Sequence, residues 1–133
     1  MIIMQNQEIY EGALRLISES MTDGENEDYK DRASYLIAAF CSETEELDRS
    51  MRKRLGLEAR ESFNPVWIPL EDEFPSVDRL APAACLYVAA MLILDDDPER
   101  SDSLYDKYCD SIASLETSFP MSLETIRDSY CFD

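Results

Sequence analysis

Apolar side chains recur along most of this chain at helical rather than strand spacing. Between Asn6 and Met21, the residues Ile9, Ala13, Leu16, Ile17 and Met21 fall in the i, i+4, i+7, i+8 register of one buried helical face. Asn6 is a plausible N-cap, and "TDGENED" around Gly24 ends the element. A second stretch runs from Asp28 to Leu55, with Ala33, Leu36, Ile37, Phe40, Leu47 and Met51 as its buried stripe and Gly56 as its stop. The polar gap "CSETEELD" interrupts that stripe. It predicts one long helix whose second half leaves the core and projects outward.

The periodicity then fails. "FNPVWIPLEDEFPS" carries Pro65, Pro69 and Pro75, so no helix passes through it, and "VWIPL" can be at most a short edge strand. Trp67, the single tryptophan, either lids the core or anchors a neighbouring subunit. From Ser76 or Asp78 to Leu94 the chain is apolar on every side, with Ala84, Ala89 and Ala90 set among Leu86, Tyr87, Met91 and Leu94. A helix of that kind is buried all round, and its alanines let neighbours approach closely. Pro82 is tolerated because it falls in the first turn. "DDDP" then forms a tight corner: Asp97 as N-cap, Pro98 at N1 and Glu99 in the first turn start a further helix running to Leu115 through Leu104, Tyr108 and Ile112. Those three aspartates lack the spaced ligands and glycine of a calcium loop. After Pro120 the chain trails off as a partly apolar tail.

The expected fold is all-α. It is a compact bundle of about four helices with one long projecting helix, a proline-rich loop or short β segment, and an extended C-terminal tail. Residues 1–119 form the helical domain and 120–133 an interaction arm. With 133 residues, 45% hydrophobic and 31% charged, the composition suits a single globular domain.

Charge narrows the function. A net charge of −17 disfavours autonomous binding to phosphate backbones. No signal peptide is visible, and the longest apolar run is too short to span a bilayer. With no histidine there is neither a triad nor an imidazole base, and three glycines build no phosphate loop. We therefore expect no enzyme, cofactor or metal. The four cysteines contain no CxxC pair, and Cys41, Cys85 and Cys109 read as reduced core residues.

One basic cluster breaks the acidic pattern: Arg49, Arg52, Lys53, Arg54 and Arg60 within "RSMRKRLGLEAR". Cations suit a helix C-terminus, and Glu45–Arg49 and Asp48–Arg52 are i, i+4 pairs in the favourable order. The alternative is a contact with an acidic surface, most simply another copy of the chain. From Asp95 to Asp133 there are eleven acids and three cations, so a head-to-tail contact is available, and it closes into a ring if the rotation allows. Charge would set the orientation, while Trp67 and the tail residues Ile126, Tyr130 and Phe132 would supply most of the affinity.

The layout resembles a known family. "DYKDRASYLIAAF" opens a helix with a basic end, "LEDEFPSVD" closes a proline-interrupted segment, and "LAPAACLYVAAMLILDDDPERSDSLYDKYCDSI" follows. From Tyr29 to Ile112 this is similar to the small helical head–tail connector proteins of tailed bacteriophages and prophages. The resemblance implies a structural virion protein, made in the bacterial cytoplasm and located at the head–tail junction. It forms a ring between the portal protein and the tail or stopper proteins, around passing DNA it does not read, and it has no membrane role. An acidic lining suits that passage, because each phosphate contact would slow the DNA. Two other classes stay open: an acidic DNA mimic that occupies a basic partner, and a general cytosolic helical adaptor.

Overall fold

Helix α4, Ala81–Leu92, is the axis about which the rest of the chain packs, in a computed structural model that describes residues 3–17, 27–60 and 64–120. Its neighbours are α1 (Asn6–Leu16), α2 (Glu27–Glu43) and α5 (Pro98–Ser118), while α3 (Glu45–Leu55) continues from the end of α2. Small residues make the central position possible. Ala81, Ala83, Ala84, Val88, Ala89 and Ala90 are all buried, so three helices crowd the same axis. Against α1 the approach is close: a Cβ at Gly12 would lie 2.6 Å from Cys85 Sγ. The architecture is all-α, as the periodicity implies.

Arginines and short polar side chains finish the helix ends. Arg100 on α5 donates to the Leu16 and Ile17 carbonyls at the end of α1, and Arg32 on α2 donates to the Met91 and Leu92 carbonyls at the end of α4. These carbonyls have no partner within their own helix, and a cation there also meets the negative end of the dipole. The corner between α4 and α5 is built as its sequence suggests. Asp97 Oδ1 accepts the Arg100 N–H at 3.2 Å, Pro98 takes the first helical position, and buried Ser101 donates to the Ala90 carbonyl at 2.7 Å.

Phe40 is the hub of the aromatic core. Its ring lies 6.4 Å from Phe74, 6.0 Å from Tyr87 and 6.1 Å from Tyr108, so α2, the proline segment, α4 and α5 meet on one side chain.

Several expectations are corrected. The helix expected over Asp28–Leu55 is interrupted at Thr44, and its second half does not leave the core there. Leu47, Asp48 and Met51 are buried on one face while Glu46 and Arg49 face solvent, and in the last turn Lys53, Arg54 and Leu55 are all exposed. The polar gap misleads because Thr44 and Asp48 find partners inside: Thr44 Oγ1 donates to the Phe40 carbonyl at 2.8 Å, and Asp48 meets the proline segment. Helix α1 is capped at Gln5, whose N–H donates to Glu8 Oε2, and Asn6 instead points inward to the Pro69 carbonyl. Leu16 is exposed and Leu14 takes the buried place. Met21 lies outside the described residues. Helix α5 outruns Leu115 to Ser118, because nothing before Pro120 stops it. Cys109 is exposed, one position off the line through Leu104 and Tyr108. "VWIPL" forms no strand among the described residues; only an isolated antiparallel bridge joins Gln5 to Glu73.

Candidate functional site

The proline segment is held in place by hydrogen bonds rather than by secondary structure of its own. Its backbone bonds to α1 through Asn6 N–H to Asp72 O (2.9 Å) and Gln7 N–H to Leu70 O (2.7 Å), with Phe74 N–H to Met4 O (2.7 Å) alongside. On the other side, Ile68 N–H reaches the Ser34 carbonyl of α2 at 3.3 Å. This pairing satisfies buried backbone that three prolines keep out of a helix. It also sets the two faces of the segment: Ile68, Leu70, Phe74 and Val77 turn inward, while Val66 and Trp67 stay outside at 77% and 49% exposure. Trp67 is therefore not a lid. Together with Tyr35, exposed beside the Ser34 bond, it leaves apolar surface facing solvent.

Asp48 is the pin between α3 and this segment. It is 2% exposed; Oδ1 accepts the Val77 N–H at 2.8 Å and Oδ2 accepts Arg52 Nε at 2.9 Å. Arg52 in turn donates to the Glu58 and Pro75 carbonyls. A carboxylate removed from water in this way is stable only because each oxygen is paired. Sequence reasoning assigned Asp48 to a surface ion pair. The signal for burial was its place in the Thr44, Leu47, Asp48, Met51 line, which is the apolar register of the helix.

The basic cluster resolves into separate roles. Arg49 is exposed and clamped by Glu46 (2.7 Å) and Glu45 (3.1 Å). Arg52 belongs to the Asp48 pin. Lys53 and Arg54 are exposed and make no ion pair among the described residues, just before Gly56 ends α3 with φ 72° in the left-handed region that favours glycine. Arg60 turns inward: both Nη atoms are buried and have no partner among the described residues. It lines a cleft of about 520 Å³ together with Arg52, Leu55, Leu57, Ser76 and Arg79. Ile126, Tyr130 and Phe132 lie outside the described residues.

Acidic groups gather elsewhere. Glu99, Asp102, Asp106 and Asp110 are all exposed and follow one face of α5, with about 6 Å between successive turns. The thiols divide sharply. Burial pushes Cys41 up to about 11, against the lowering pull of Ser76 and the Arg60 charge, and burial pushes Cys85 up to about 11 against a weaker lowering by a backbone hydrogen bond. Both are protonated and unreactive at neutral pH. Burial also raises the Tyr108 hydroxyl, with Glu43 adding to the effect. Among the described residues no helix is long and apolar enough to cross a membrane.

Comparison with protein-family models, with curated proteins and with solved structures finds no match.

Proposed function

We propose that this chain is a structural subunit of a phage or prophage head–tail connector. It assembles as a ring of identical copies between portal and tail, around the DNA passage. The observation that carries the reading is the separation of charge on an otherwise acidic molecule: Lys53 and Arg54, without an ion pair among the described residues, end α3, and an acidic row runs along α5. Opposite patches on different elements favour a heterologous contact, whose closed form is a ring. Exposed ion pairs contribute only about 0–1 kcal/mol each and are screened beyond about 8 Å at physiological salt. Orientation then comes from charge, and affinity from half-exposed Trp67 with its apolar neighbours. The chemistry is structural: exclude DNA adhesion, hold the ring and join head to tail.

The α5 row also favours a second reading. Carboxylates at regular spacing on a rigid helix can stand in for phosphates, as a DNA mimic bound to a basic protein would need.

Addition of the protein to DNA-filled heads that lack it tests the proposal. The wild type is expected to make them competent to join tails. Lys53→Glu with Arg54→Glu is expected to lower that yield about tenfold while leaving helix content unchanged, because like charges would then face across the contact. Heads that gain nothing from the wild-type protein would sink the connector reading. An equally active variant would remove the α3 end from it.

A further inference from the structure

The Arg60 cleft has no role in ring contacts as argued above, and its chemistry is unusual. A guanidinium with both Nη atoms buried and unpartnered is expensive, and such groups in native proteins ordinarily meet a ligand or partner. The cleft is about 520 Å³, large enough for a few side chains. Its wall is mixed. Leu55 and Leu57 supply apolar surface, while Arg52, Arg60 and Arg79 outnumber the carboxylates of Glu73 and Asp78. Arg52 is already committed to Asp48 and two carbonyls, and Ser76 Oγ, near the Cys41 thiol, has no hydrogen-bond partner among the described residues. The open demand is for an acceptor that can satisfy Arg60.

A supply of acceptors begins at the rim. Arg79, on the cleft wall, stacks over the Phe119 ring at 5.3 Å, and Phe119 is where α5 ends. Residues 121–133 follow directly. They combine the carboxylates Glu124, Asp128 and Asp133 with the apolar Leu123, Ile126, Tyr130 and Phe132. At about 3.3 Å per extended residue, Glu124 lies within roughly 16 Å of Phe119. Arg79 lines the same cleft as Arg60, so the segment starts at the cleft itself. A carboxylate takes a guanidinium in bidentate fashion, and the flanking apolar side chains match the leucine wall.

We propose that the Arg60 cleft is an intrachain docking site for residues 121–133, with a carboxylate of that segment, Glu124 by reach, closing on the buried guanidinium. The segment thereby satisfies Arg60 and covers the leucines, and it is available for release when a partner competes for either group.

Trypsin reads this directly, because Arg127 lies inside the segment. Release of fragment 128–133 from the full chain, followed by mass spectrometry, is compared with cleavage of a synthetic peptide of residues 121–133. Cleavage in the folded protein is expected to be at least about tenfold slower than in the peptide, since a docked strand must open before it is cut. Arg60→Met and, separately, Glu124→Gln are each expected to restore a rate within about threefold of the matching peptide, with helix content unchanged. Glu124 follows the last buried core residue, Phe119, in the sequence, so its variant reports even where Arg60→Met misfolds. Wild-type cleavage as fast as the peptide would overturn the proposal, as would protection that survives Glu124→Gln. Protection that appears only as protein concentration rises about a hundredfold would overturn the intrachain assignment, because it would place the segment on another copy.

Discussion

The α1–α4–α5 core and the proline segment at residues 64–80 are both buried against the same aromatic hub, yet they are held by different forces. In the core, small residues allow helices to touch: Gly12 meets Cys85, and Ala83, Ala84, Ala89 and Ala90 have no exposed surface. Stabilisation there is distributed over many dispersion contacts and much apolar area. The segment has a few inward apolar side chains, and its course depends on individual polar bonds to Asp48, Arg52 and Asn6. One region tolerates the loss of any one contact. The other depends on single atoms, and that is how an irregular stretch can carry a well-defined cleft.

The largest loss should come where the two regions meet. Phe40→Ala removes the ring shared by Phe74, Tyr87 and Tyr108, and is expected to lower unfolding stability by about 4 kcal/mol in urea titration. A loss below about 1 kcal/mol would mean the hub is not shared. Asp48→Ala comes next. It leaves the Val77 N–H and the Arg52 guanidinium without their acceptor, at a cost of about 3 kcal/mol by the same titration.

Gly12→Val probes the core alone. Its new methyls would overlap Cys85 Sγ, so α1 and α4 must part, at a cost of about 2 kcal/mol. The segment should stay attached, with tryptophan fluorescence of Trp67 unchanged.

The smallest effect is a pH dependence that samples both regions. Cys41 and Cys85 hold their protons in the fold up to about 11, whereas the ordinary thiol value is 9.0. Below pH 9 folded and unfolded chains are both protonated, so the full stability is present. Between 9 and 11 only the unfolded chain releases protons, and stability falls as pH rises. At pH 10 the loss is about 1 kcal/mol per thiol, so Cys41→Ala and Cys85→Ala should each flatten the alkaline slope of the urea midpoint.

The two regions also differed in how far their sequence revealed them. The all-apolar run with Pro82 in its first turn could only be a central helix, and Asp97-Pro98-Glu99 could only start another, because caps and periodicity are local signals. The segment's inward face was hidden: three prolines mark where helix ends but not which side chains turn in. Asp48 and Asn6 were hidden for a related reason. A buried polar residue is recognised by its partner, and theirs lie 29 and 63 positions away in the chain. The basic cluster looked uniform because spacing shows charge but not accessibility; only tertiary contacts separate the clamped Arg49 and Arg52 from exposed Lys53 and Arg54 and from inward Arg60.

Amide hydrogen exchange in wild type and Asp48→Ala tests most directly whether single polar bonds hold the segment. In the wild type, the amides of Ile68, Phe74 and Val77 should be as protected as those of α4, despite the absence of regular structure around them. In Asp48→Ala, Val77 and its neighbours through Leu80 should exchange at least about a hundredfold faster while α4 and α5 change little, the mark of local opening. Wild-type amides in the segment that exchange freely, or an acceleration spread evenly over all helices, would contradict the account.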